Sequence, residues 1–234
     1  MSWVSQDGFD LRFDWGAPGV ARLAPHCRTF VVIDVLRFST AVETGLTHGL
    51  VVQPEHWPLP RSGTRSGYVA DGSIPGGPSL SPSSLLLLPK GERVILPSLN
   101  GANCALAAAD TGAIVVAGSL RNASAVAKYV GGMPGPIGVV AAGDLASDGT
   151  MRPAVEDILG AAAILRYLPG TRSPEASVAE AGFSPEPAVL VGASASARQL
   201  ASVGHGEDAE WASELDVSEC VPVLEGDVFV DATA

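Results

Sequence analysis

Cysteine is scarce in this chain: Cys27, Cys104 and Cys220 form an odd, widely spaced set. That count excludes a disulfide framework and any cysteine-based metal pattern, and reads as buried or free thiols in a reducing cytoplasm. Long hydrophobic runs are missing as well. Stretches such as Leu85 to Leu88 and Ala161 to Leu165 fall far short of the roughly 20 residues that span a bilayer, so no membrane partner is expected. Met1 to Asp14 has no basic segment followed by an apolar one, so no secretory signal is expected either. Basic residues are few, 14 Lys and Arg against 25 Asp and Glu, and the net charge of −11 argues against nucleic acid as a partner. The Gly-x-x-x-x-Gly-Lys-Ser/Thr phosphate loop and the Gly-x-Ser-x-Gly elbow are absent. The histidines, His26, His48, His56 and His205, have no metal-ligand spacing.

What remains is a globular composition, 47% hydrophobic and 17% charged over 234 residues, enough for a sizeable core. Four apolar runs are each followed by a helix-like segment. Thr29–Val35 leads to Ser39–Gly49, Arg93–Pro97 to Ala102–Gly112, Ala113–Ala117 to Asn122–Gly131, and Ile137–Ala142, after a loop, to Pro153–Leu168. This alternation predicts an α/β fold with a mainly parallel or mixed sheet covered by helices on both faces. Residues 1–234 read as a single domain, with two subdomains, about 1–130 and 131–234, as an alternative. Gln53 to Pro89 is rich in proline and glycine, and a connection of that length suggests a functional loop over a site. Pro169 to Pro187 reads as a second linker. Beyond it, Val189–Val203 and Glu207–Leu215 read as helices and Val221–Val230 as closing strands.

The stretch Asp34-Val35-Leu36-Arg37-Phe38-Ser39-Thr40 stands where the first of these strands turns into its helix. In open α/β sheets ligands bind at that end of the strands, and a helix N-terminus favours anions such as phosphate. Thr40 and Glu43 have capping-box spacing, which gives them a purely structural job. Capping does not account for Asp34 or Arg37. An aspartate ending an apolar strand needs hydrogen bonds, a cation or a metal if it is buried. Arg37 offers a planar fork for two oxygens of a phosphate or carboxylate, with a salt bridge to a nearby acid as the alternative. Asn100 and Asn122 each stand where a strand meets a helix, and N-capping explains either one as readily as ligand binding. Asp144 follows another strand, and Glu156-Asp157 fall in a first helical turn, where the helix dipole alone would favour them. Such oxygens suit Mg²⁺, which holds carboxylates and keeps several waters. No second Asp follows Asp34 two positions on, which speaks against a haloacid-dehalogenase-type phosphatase.

Val31-Val32-Ile33-Asp34-Val35-Leu36-Arg37 with Ser39-Thr40 resembles the signature of the 2-phosphosulfolactate phosphatase (ComB) family. Asn100-Gly101 resembles that family's Thr-Thr-Asn-Gly turn, and Gly118 to Ala123 its Gly-Ser-x-x-Asn-Ala segment. Ala142-Gly143 and Glu156-Asp157, with Gly160-Ala161-Ala162 behind, resemble its Ala-Gly and Glu-Asp-x-x-x-Ala-Gly-Ala elements, and the tail from Asp208 through Val221-Pro222-Val223-Leu224 also fits. The resemblance implies a three-layer α/β/α fold of two related halves with the site between them. It implies a cytoplasmic, Mg²⁺-dependent phosphomonoesterase that converts 2-phosphosulfolactate to sulfolactate and phosphate, a step of coenzyme M biosynthesis. By position, Asp34, Glu156 and Asp157 become the metal and catalytic groups, with Arg37 beside them. Arg37, Ser39, Thr40, Asn100, Gly101 and Asn122 become the holders of a small anionic phosphoester, and a homodimer stays open.

The departures fall mainly in the segment from Gly67 to Ser84. The family carries Gly-Glu-Arg-Gly-Gly and then Gly-Asn-Ser-Pro with a nearby Glu, where this chain has Gly67-Tyr68-Val69-Ala70-Asp71-Gly72 and Leu80-Ser81-Pro82-Ser83-Ser84. Ser98-Leu99 replaces the usual Thr-Thr before Asn100. Besides the phosphatase reading, the sequence therefore leaves open a non-catalytic metabolite-binding or regulatory protein of the same fold, and a phosphatase with another substrate.

Overall fold

The computed structural model describes residues 3–59, 66–146 and 148–234. The chain runs through β1 (Leu11–Trp15), α1 (Gly16–Leu23), β2 (Thr29–Ile33), α2 (Phe38–His48), β3 (Val51–His56), β4 (Tyr68–Val69) and α3 (Pro82–Leu85). It continues through β5 (Arg93–Ser98), α4 (Gly101–Ala109), β6 (Ile114–Gly118), α5 (Ala123–Val130), β7 (Ile137–Ala141), the short pair β8 (Asp144–Leu145) and β9 (Met151–Arg152), and α6 (Val155–Tyr167). The C-terminal part holds α7 (Pro174–Glu180), α8 (Pro187–Ala193), α9 (Ala195–Ser202), α10 (Glu207–Ala212), β10 (Pro222–Glu225) and β11 (Val228–Asp231). Among the described residues no helix is long and apolar enough to cross a membrane.

β2 shows why the fold is layered. All five of its residues are buried. Successive side chains of a strand point to opposite faces, so Val31 and Ile33 join the core under α5 and α6, while Phe30 and Val32 join the core around α2 and α4. The two apolar faces need helices on both sides, and the result is a three-layer α/β/α structure with a mixed sheet. Among the described residues, nine of the eleven strands form this sheet in the order β1-β7-β2-β6-β10-β11-β3-β5-β4, with β8 and β9 apart. β1, β7, β2 and β6 are mutually parallel, as are β3, β5 and β4. The antiparallel hairpin β10–β11 joins the two blocks, which therefore run in opposite directions. Strands from both sides of residue 130 alternate in this sheet, since β7 lies between β1 and β2. α4 touches β2, β3, β5 and β6, so the sheet curves around it and brings the ends of β2 and β5 together.

The four expected strand–helix units are present, with β2 ending at Ile33 rather than Val35 and its helix starting at Phe38. The helix ends as expected, with Gly49 in the left-handed conformation at its C-cap. Its start is not a capping box: Arg37 occupies the N-cap without a side-chain bond, and Glu43 is drawn away into an ion pair with Arg121. The expected helix Val189–Val203 is two helices, broken at Ser194, whose hydroxyl accepts from the Ala197 N–H and caps the second. Pro169 to Pro187 is more than a linker, because α7 lies within it against β1 and α6. Gln53 to Pro89 contains the end of β3, β4 and α3, and residues 60–65 of it lie outside the described residues.

α6 approaches β2 closely at Gly160, where an added Cβ would stand 2.9 Å from both Ile33 Cγ2 and Val35 Cγ2. Those β-branched side chains are buried and stiff, so neither yields easily. Gly160→Ala is expected to lower stability by about 1–2 kcal/mol, overpacking outweighing the better helix propensity of Ala. That is a fall of a few degrees in Tm by calorimetry, and an unchanged or raised Tm would show that the layers are not in contact there.

Candidate functional site

β2 delivers its chain to Asp34, a carboxylate only 5% exposed. Its Oδ1 accepts from the Phe38 N–H at 3.2 Å and its Oδ2 from the Gly101 N–H at 2.9 Å. The second bond docks the N-terminus of α4 onto the end of β2, and it needs a residue without a side chain. A Cβ on Gly101 would stand 2.6 Å from Asp34 Oδ2 and 2.5 Å from Phe38 Cδ1. Asp157, in the first turn of α6, acts in the same way. Its oxygens accept from the Val35 N–H at 2.8 Å and the Gly143 N–H at 2.9 Å, tying the turn after β2 to the end of β7. Glu156 is buried beside it, and its Oε2 has no hydrogen-bond partner among the described residues. Asp34, Glu156 and Asp157 line one cavity of about 300 Å³, together with Arg37, Ser98, Asn100 and Asp144.

Negative charge dominates this cavity. Burial pushes the Asp34 carboxyl up to about 6, with the Phe38 and Gly101 N–H groups opposing, Glu156 adding to the rise and Arg37 reducing it. Burial, and then the charges of Asp34 and Glu156, raise Asp157 well above the ordinary carboxylate range. Arg37 does not offset this fully, because its Nη1 is paired at 2.6 Å with the buried Asp208 carboxylate. The salt-bridge alternative for Arg37 is thus realised, while its side chain still lines the cavity.

Among the described residues no group of three histidine, cysteine or acidic side chains is arranged to hold a metal ion. Asp34, Glu156 and Asp157 therefore do not form a closed ligand set. The oxygens of Asp34 and Asp157 are directed at backbone N–H groups instead. Mg²⁺ does not need such a set, since one or two carboxylates with waters and substrate oxygens suffice. An orphaned, buried Glu156 oxygen beside two carboxylates held above their usual range fits a divalent cation of that kind.

The remaining sequence candidates divide. Asn100 lines the cavity, and its Oδ1 accepts from the Leu145 N–H at 3.1 Å rather than capping α4. Gly101 gives its N–H to Asp34. Ser39 and Thr40 are fully buried, with hydroxyls donated to the Val32 and Val35 carbonyls at 3.2 and 2.8 Å, so they brace the turn rather than face the cavity. Asn122 is also fully buried. Its Oδ1 accepts from the Ser119 N–H, and its Nδ2 donates to the Cys220 carbonyl at 3.1 Å, which fastens the α5 junction to the chain entering β10. Asp144 lines the cavity and pairs with Arg152 across β8–β9. Two residues of the area fall within the family-like segments but receive no role of their own there. Arg121 pairs with Glu43 and Glu214 and stacks on Trp211. Asp208 sits in an acidic first helical turn that reads as ordinary dipole compensation, yet holds Arg37 from 171 residues away.

Fold and site together define a three-layer α/β protein with an acidic ligand cavity where strands β2, β5 and β7 end. The family described as 2-phosphosulpholactate phosphatase matches residues 78–227, and the chain belongs to it. Membership implies a phosphatase, a hydrolase acting on a small phosphoester. The matched span carries Asn100, Gly101, Glu156 and Asp157, and the Asp34–Gly101 bond joins to them the Asp34–Arg37 turn that precedes it.

The raised carboxylates have a stability consequence with a definite sign. Below the ordinary aspartate value of 3.8 both the folded and the unfolded chain are protonated here, whereas between about 4 and 6 the folded chain holds protons that the unfolded chain has released. Stability without divalent cations should therefore fall as pH rises through that window. Thermal melts in EDTA should show a higher Tm at pH 5 than at pH 7.5, by a few degrees, and Mg²⁺ should narrow the gap. A Tm rising steadily from pH 5 to 7.5 in EDTA would contradict the charge assignment.

Proposed function

We propose that this protein is a Mg²⁺-dependent phosphatase that hydrolyses 2-phosphosulfolactate to sulfolactate and phosphate. The observation that carries the reading is the buried carboxylate cluster at the end of β2, with an unpartnered Glu156 oxygen and an arginine on the same cavity. Glu156 and Asp34 would hold the cation, with Asp157 keeping the two loops around them in register. Bound there, Mg²⁺ would supply positive charge against the phosphoryl oxygens. Arg37 binds the anion with the part of its fork that Asp208 does not engage. Asn100, whose Oδ1 is already engaged, has its Nδ2 left as a donor toward substrate. The net charge of −11 supports a small-molecule partner over nucleic acid, and three buried free thiols fit a reducing cytoplasm.

A second reading has its own support. Leu80 lines the cavity where the family resemblance would put an asparagine, and Leu99 lines it where a threonine would stand. Two apolar side chains in that wall favour either a different phosphoester or a protein that binds without turnover.

Phosphate release separates these readings. Purified protein, assayed with Mg²⁺ or EDTA on small phosphoesters including 2-phosphosulfolactate, should release phosphate only with the metal and fastest from that substrate. Asp34→Asn should lower turnover at least ~100-fold, and Arg37→Ala by a similar factor, with the protein still folded by circular dichroism. Full activity in Asp34→Asn sinks the assignment. No release from any ester, with metal present and the protein folded, favours the binding protein.

A further inference from the structure

Asp208 is a buried residue bonded to the site that the proposed reaction leaves without a role. It lies on α10, far from Arg37 in sequence, and is 1% exposed. Its Oδ2 accepts from Arg37 Nη1 at 2.6 Å, and its Oδ1 accepts from the Ser81 hydroxyl at 2.5 Å. His205 Nδ1 stands 4.0 Å from Oδ2. Next to this, Ser83 Oγ donates to Glu207 Oε1 at 3.0 Å, a second tie between the same two segments. One buried carboxylate thus joins the turn after β2, the segment before α3 and the helix α10.

The geometry points to Asp208 as a positioning residue for Arg37. A guanidinium on a long side chain has many rotamers, and a buried charged hydrogen bond at one nitrogen leaves few of them. Asp208 is itself held from a second side by Ser81, so the fork of Arg37 is fixed relative to Asp34, whose carboxylate feels the guanidinium charge. Arg37 lines the carboxylate cavity and also a neighbouring one of about 260 Å³, bounded by Trp57, Asp71 and His205. Without Asp208 the side chain is free to turn from the first into the second. Ser81 belongs to the segment before α3, so the same contact couples that segment to the arginine.

This inference rests on Arg37 binding the phosphoryl group, and the test keeps the two apart. Wild type, Arg37→Ala, Asp208→Asn and the double variant are compared for kcat and KM on 2-phosphosulfolactate with Mg²⁺. Asp208→Asn should lower kcat by about tenfold to a hundredfold, the range expected when a binding group is misplaced, while KM changes less than threefold. In the Arg37→Ala background it should lower kcat no further. An unchanged kcat, or equal losses in both backgrounds, overturns the inference. Should Asp208→Asn not fold, Ser81→Ala removes one support of the carboxylate and should cost kcat severalfold, and full activity there overturns it equally.

A readout without turnover uses the Nε–H resonance of Arg37, assigned by its loss in Arg37→Lys. It should shift on adding inorganic phosphate with Mg²⁺ and should broaden or vanish in Asp208→Asn. A resonance unaltered in Asp208→Asn overturns the positioning role, whereas wild type that shows the expected resonance changes but hydrolyses nothing sinks only the phosphatase reading.

Discussion

Asp34 and Asp157 are buried carboxylates that answer to backbone N–H groups rather than to a basic partner of their own. Between them they accept from Phe38, Gly101, Val35 and Gly143, which are the starts of α2 and α4, the turn after β2 and the end of β7. A buried charge without partners costs several kcal/mol, so these loops cannot separate without exposing that penalty. The same bonds hold the carboxylates where burial keeps them above their ordinary range. The site's architecture and the raised proton affinity of its carboxylates thus have one origin.

The rest of the structure serves that arrangement. The sheet curves around α4, so strands far apart in its order, β2 and β5, end at the same place. Glycine permits the closest contacts, with Gly101 lying against Asp34 and Phe38 and Gly160 against Ile33 and Val35. Neither position has a left-handed backbone, so what selects glycine there is the lack of room for a side chain. The C-terminal helices are part of the site as well, since α10 brings Asp208 to Arg37 and α9 lines the cavity through Ser196, Gln199 and Leu200.

Membership in the 2-phosphosulpholactate phosphatase family, matched over residues 78–227, fixes the class of chemistry. The cavity wall refines it. Leu80 and Leu99 are apolar, and Ser81 and Ser83 donate to Asp208 and Glu207 of α10 rather than to Asp34, Glu156 or Asp157. The apolar part of the wall thus lies with the segment before α3 and the turn after β5, whereas the charge cluster lies at the end of β2 and the start of α6.

Local sequence pattern was enough for the strand–helix alternation, because β-branched runs and alanine-rich helices answer to nearest neighbours and to burial. It was enough to mark Asp34, because a carboxylate ending an apolar strand needs a partner once buried, whereas the helix dipole alone explained Glu156 and Asp157 until their burial beside Asp34 set them apart. It could not separate Asn100, which lines the cavity, from Asn122, which braces α5 to β10, as both occupy the same position after a strand. Ser39 and Thr40 looked like ligand-facing hydroxyls and turned inward, because carbonyls of the β2 end were within reach. The pairing of Arg37 with Asp208 and of Arg121 with Glu43 left no trace in local pattern. Sequence determined which residues carry charge at element ends. Only the tertiary structure decided which of those charges meet, because a contact between residues as distant as 37 and 208 depends on how α10 packs against α3, α8 and α9.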